Sequence, residues 1–118
     1  MTLIVDFVKI ENNSIYLFAQ TGKKFGVITI NRKIDIVLDY SKRFIVYKIM
    51  DVNGFPDGIL RVYDIQNMVN MKIPQSWRVM SASLSPNNKK IAFVTWAPDY
   101  RSLYILDLES FNIENLIQ

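Results

Sequence analysis

The chain has 118 residues, 14 Lys and Arg against 11 Asp and Glu, a net charge of +3, and neither cysteine nor histidine. That composition excludes disulfides, thiolate sites, imidazole bases, Ser-His-Asp chemistry and most zinc sites. It also carries no basic run that would mark a nucleic-acid-binding surface.

In chain order, short apolar runs alternate with turn chemistry, which predicts an all-β fold. The predicted strands are Leu3–Lys9, Ile15–Ala19, Phe25–Ile30, Ile34–Asp39, Phe44–Met50 and Ile59–Ile65. Met71–Ile73, Val79–Leu84, Ile91–Thr95, Leu103–Leu108 and Ile113–Leu116 follow. Asn, Gly and Pro between them supply the backbone angles of reversals. Helix has little support: only Met68–Ile73 could close a turn, and Pro74 ends it. Met68 and Met71 read as core gap-fillers. No window approaches the ~20 apolar residues of a membrane-spanning helix, and the start is too interrupted by Asp6 and Lys9 for a leader. The expectation is a cytoplasmic protein without a membrane partner.

Two runs, Ile91–Val94 and Leu103–Leu108, are nearly continuously apolar, so both faces of those strands are expected to be covered, as in stacked sheets. The chain also repeats itself. The stretch Ile36–Tyr47 sets beside Ser83–Val94, with Phe44 opposite Ile91, and Leu60–Ile65 beside Leu103–Leu108. A fainter copy runs from Val8 to Ile30. Approximate repeats are therefore 1–33, 34–76 and 77–118, forming a single domain, with the first lacking its fourth strand.

Ser85-Pro86-Asn87-Asn88-Lys89-Lys90-Ile91-Ala92-Phe93 followed by Leu103–Leu108 resembles the repeat of TolB-type β-propellers. Asn87-Asn88 stands where that family has Asp-Gly, and Asn tolerates the left-handed angle the turn needs. The likeness is clear over 79–118, weaker over 34–74 and faint over 1–33. It implies an antiparallel β-meander of about three blades, too few for a closed monomeric ring; the alternative is a β-sandwich. It implies no activity.

Asp51–Asp57 superficially resembles a calcium loop, but its Gly is early and Pro56 sits where a sharp-turn glycine belongs; an Asn-Gly turn is the simpler reading. Asp64 and Asp107 end matching strands and are expected to cap the next turn, with Asp39 doing likewise. Lys42, Arg43, Lys89 and Lys90 form one basic rim. By loop parity Phe55, Trp77, Arg78, Trp96, Asp99, Tyr100 and Arg101 share the other, and such residues dominate binding energy when clustered. Equally, Trp77 and Trp96 could fold back over the core ends.

The expected function is a non-enzymatic protein–protein interaction module, without cofactor or metal, binding through the aromatic rim. Its size suits adaptors and inhibitors, those of phages or other mobile elements among them. The alternative is a lectin-like binder stacking Trp77, Trp96 and Tyr100 on sugar rings. Unpaired sheet edges in an open arrangement predict self-association, a homodimer with joined sheets foremost.

Overall fold

The computed structural model describes residues 7–11, 14–19, 21–29, 33–97 and 100–117, and among them every regular element is a strand. In chain order these are β1 (Phe7–Glu11), β2 (Ser14–Phe18), β3 (Lys24–Thr29), β4 (Ile34–Tyr40), β5 (Phe44–Ile49) and β6 (Arg61–Asp64). They are followed by β7 (Val69–Lys72), β8 (Val79–Leu84), β9 (Lys90–Ala97), β10 (Tyr100–Asp107) and β11 (Ile113–Ile117). Three antiparallel sheets result: β1-β2-β3, β4-β5-β6-β7 and β8-β9-β10-β11, each a meander and none closed on itself. Among the described residues no helix is long and apolar enough to cross a membrane. Residues 3–6 of the first expected strand lie outside the described residues.

The turns form because specific side chains occupy backbone groups that the ladders leave unpaired. Ser85 Oγ accepts from the N–H groups of Lys89 (3.2 Å) and Lys90 (2.9 Å) and donates to Asn87 Oδ1 at 2.7 Å. Asn88 takes φ 60°, the left-handed angle expected of it. Ser41 does the same work in the second sheet, accepting from Arg43 N–H (3.1 Å) and Phe44 N–H (3.0 Å). Asp64 Oδ1 accepts from Gln66 and Asn67, and Asp107 Oδ1 from Glu109 and Ser110, so both aspartates cap their turns. Asp39 differs. Its Oδ1 accepts from Tyr40 N–H, but its Oδ2 reaches Leu84 N–H in the third sheet at 2.7 Å, a link between layers that no local pattern announces.

The middle sheet is covered on both faces. Along β5, Ile45, Tyr47 and Ile49 join Ile15 and Leu17 of the first sheet in one core, while Phe44 and Val46 join Val79, Ile91, Phe93 and Leu106 of the third sheet in another. A period of two sorts one strand's side chains into two cores. Each fully buried aliphatic or aromatic side chain there is worth about 1.5–3 kcal/mol.

Three expectations need correction. Met68 to Ile73 forms no helical turn: Met68 takes φ 56° and β7 begins at Val69, because the chain reverses tightly enough to extend the sheet. Met68 is 74% exposed and no gap-filler, whereas Met71 does pack on the second core. The repeats also align one residue differently in their second strands. Phe44 pairs with Asp64 and Lys90 with Asp107, so Phe44 matches Lys90, and Ile45 and Tyr47 match Ile91 and Phe93. The turn closes from Ser41 N–H to Phe44 O in one repeat and from Ser85 N–H to Lys90 O in the other. The second turn is two residues longer, so no ungapped comparison fits both flanking strands; the one above is a residue out of register in the second strand, which reverses every side chain's face there.

Candidate functional site: an arginine held between two indoles

The connection from β7 to β8 begins at Ile73, whose N–H donates to Leu60 O at 2.9 Å. Ser76, 1% exposed, fastens it further: its Oγ accepts Leu60 N–H at 2.9 Å and donates to Ile73 O at 2.6 Å. With Ser76 drawn inward, the next residue, Trp77, is turned outward and is 66% exposed. Gln75 and Arg78 both take left-handed angles, φ 60° and 63°. That conformation is costly for residues with a Cβ and marks a backbone held by its surroundings.

What holds Arg78 is visible on both sides. Trp96 N–H donates to Arg78 O, and Val79 N–H donates to Gly58 O, each at 3.1 Å. Gly58, at φ 75°, lies so close that a Cβ there would stand 3.4 Å from Arg78 N and 4.0 Å from the Trp77 ring. Three chain segments thus meet at one rim. There the Arg78 guanidinium lies 5.3 Å from the Trp77 ring and 4.8 Å from the Trp96 ring. Cation–π contacts of this exposed kind are worth about 0.5–1 kcal/mol each. Among the described residues no carboxylate pairs with Arg78. Lys48 Nζ, donating to Val79 O at 3.3 Å, adds a second positive charge nearby.

The structure therefore brings Trp77, Arg78 and Trp96 together, and neither indole folds wholly into the core: Trp96 is 36% exposed. Arg101 pairs directly with Trp96 across the β9–β10 ladder and is exposed. That ladder extends past the expected loop, since β9 runs to Ala97 and β10 starts at Tyr100; Trp96 and Arg101 are strand residues. Tyr100 pairs with Ala97 through its backbone, and Asp99 lies outside the described residues. Phe55 sits at the tip of the neighbouring loop, three residues before Gly58, 67% exposed, and among the described residues no ring contact joins it to the indoles. The loop beneath it is a turn. Asp51 Oδ1 accepts from Asn53 N–H (2.8 Å) and Phe55 N–H (3.0 Å), committing that oxygen to the backbone. Among the described residues no cluster of three acidic groups could hold a metal ion.

Lys42, Arg43, Lys89 and Lys90 occupy the opposite rim, where they alternate with acids: Arg43 pairs with Asp64 at 3.4 Å, and Lys90 stands opposite Asp107. Among the described residues the shifted titrations lie away from the indoles. Burial pushes Tyr47 up to about 12 and also raises Tyr63, while the N–H groups of Ser110 and Glu109 lower Asp107. Two positioning residues escaped sequence reasoning. Gly58 carried a weak signal as a glycine in a turn; Ser76, between two strands of unremarkable spacing, carried none. No protein-family model and no curated protein matches the chain.

Proposed function

We propose that this chain is a non-enzymatic protein-interaction module of propeller-type blades, and that it engages a protein partner through Trp77, Arg78 and Trp96. Phe55 and Arg101 flank the contact. The observation that carries this reading is the stack itself: a guanidinium that pairs with no carboxylate among the described residues, within cation–π distance of two exposed indoles. Arg and Trp are the residues most enriched among binding hot spots, and a prearranged side chain loses little entropy on binding. The resemblance to TolB-type repeats and the succession of meander sheets support the blade reading and add no catalytic group to it. Stacking of a sugar on Trp77 is the second reading, favoured by the open area of that ring.

The test compares the wild-type chain with Arg78→Ala and Trp77→Ala as immobilised baits, followed by titration of any retained protein. A partner held by wild type and weakened at least about tenfold by either variant, with circular dichroism unchanged, supports the site. A partner bound equally well by both folded variants refutes it. A saturable change in indole fluorescence with a glycan panel, without a protein partner, replaces the first reading with the second.

A further inference from the structure

The first sheet has three strands and the second has four, and the difference shows on β7. Met71 packs on the second core, toward the third sheet, whereas Asn70 and Lys72, on the opposite face, are exposed. Among the described residues no β7 side chain belongs to the first core. Lys72 stands directly opposite Arg61 of β6, and like charges so placed repel. Arg61 Nη2 donates to Asp57 Oδ2 at 2.9 Å. Among the described residues the buried Arg61 Nε has no hydrogen-bond partner, and no carboxylate pairs with Lys72. Just before β6 and just after β7, Ile59, Ile73, Pro74 and the Trp77 ring line a hollow of about 370 Å³, with Lys72 among its walls. Ser76, bonded to Leu60 N–H and Ile73 O, holds that connection in place.

We infer, on the reading of Trp77 and Arg78 as a protein-binding site, that the partner offers an acidic segment. It seats one apolar side chain in this hollow against Trp77, with carboxylates beside it on Lys72 and Arg78. The lining selects the apolar part. Ile59, Ile73 and Pro74 carry no polar side-chain group to pair with the hydroxyls of a sugar. At about 370 Å³ the hollow stands near the lower end of ligand pockets, which run roughly 300–1,000 Å³, and suits a single side chain. The charges select the acidic part. Arg78 lies 5.3 Å from the same Trp77 ring and, like Lys72, pairs with no carboxylate among the described residues. A carboxylate at Lys72 would offset the repulsion across the β6–β7 ladder, and a lysine or arginine there would add to it. The hollow on the first sheet's outer face differs, since Lys9 within it already pairs with Glu11 at 3.0 Å. A nucleic acid also brings anions, but its bases stack on successive aromatic faces, and aliphatic groups make up most of this lining.

Random-peptide phage display on the immobilised full chain tests this, with synthetic copies of the recovered peptides titrated by indole fluorescence. Peptides recovered on wild type should be enriched in Asp and Glu beside a large apolar residue. Their binding should weaken as salt is raised from about 50 to about 500 mM. Lys72→Glu sets opposite charges across β6 and β7, so circular dichroism should stay unchanged. It should bind those peptides at least about tenfold more weakly and, panned itself, should select fewer acids. Lys72→Gln, which is neutral, should weaken them in the same direction, and it decides the point if the charge reversal does not fold. Peptides that need Trp77 yet show no acidic enrichment, or that bind Lys72→Gln as tightly as wild type, overturn this inference and leave the interaction site standing. Recovery of no peptide sensitive to Trp77→Ala, or saturable binding of single-stranded oligothymidylate in place of peptides, overturns both.

Discussion

Tyr47 offers a sharp test of how the layers are held. Its ring is 0% exposed between the first and second sheets, and its hydroxyl donates to Asn70 Oδ1 at 2.6 Å. Burial disfavours the phenolate and pushes the pKa up to about 12 from its ordinary 10.0. Above pH 10 the unfolded chain gives up this proton first, so the folded state binds more protons and stability falls as pH rises. The slope is about 1.4 kcal/mol per pH unit, giving roughly 2–3 kcal/mol in all by pH 12. Tyr47→Phe removes both the hydrogen bond and the titration. Below pH 10 the variant should be less stable by about 0.5–1.5 kcal/mol, the net worth of one hydrogen bond whose exposed acceptor can turn to water. Near pH 11 the two should cross, and by pH 12 the variant should be the more stable. Urea unfolding followed by far-ultraviolet circular dichroism at pH 8 to 12 measures this, and the difference between the proteins cancels the other tyrosines and lysines. A difference that stays constant across that range would refute the assignment of a buried, neutral phenol.

Three further outcomes follow from single contacts. Ser76→Ala should cost about 1–3 kcal/mol in urea unfolding, since the Leu60 N–H loses its partner inside the fold, and should alter the fluorescence of Trp77 beside it. Gly58→Ala should cost about 1 kcal/mol, because φ is 75° there, and should weaken the indole stack that packs against it; unchanged stability would remove Gly58 as a positioning residue. Asp107 has its carboxyl held below the usual 3.8, first by Ser110 N–H and then by Glu109 N–H. Its contribution is present above the unfolded value and lost as pH falls through the lowered one. Asp107→Asn should therefore flatten the acid limb of stability between pH 5 and 2; an unaltered acid limb would count against the cap.

The strand pattern was readable because its causes are local. Serine, asparagine and aspartate at the turns act on backbone groups two to five residues away, so Ser85, Asn88, Asp64 and Asp107 announce themselves in sequence. Strand ends were read less well. The β9–β10 hairpin runs through Trp96 and Arg101, since once two eight-residue strands are paired the ladder continues to Ala97 and Tyr100, whatever the side chains. The match between repeats slipped by one residue for the opposite reason. Turn length is free to vary between repeats while the cap aspartate and the core face are not, so the alignment must be anchored on Asp64 and Asp107 and not on the basic residues of the turn.

The site was legible in its residue types and illegible in its assembly. Trp77, Arg78 and Trp96 could be picked out as surface aromatics and a cation, yet what makes them one unit lies in long-range backbone contacts. Trp96 N–H reaches across to Arg78 O, Val79 N–H to Gly58 O, and Ser76 anchors to Leu60. These bonds fix Arg78 in a left-handed conformation that arginine does not choose for itself. The guanidinium therefore lies between the indoles because its backbone is clamped, with the cation–π attraction acting on a side chain already aimed at them. Disturbing the clamp at Gly58 or Ser76 should consequently release the stack even though neither residue contributes a ring or a charge to it. Phe55, exposed at its loop tip, is no part of that arrangement.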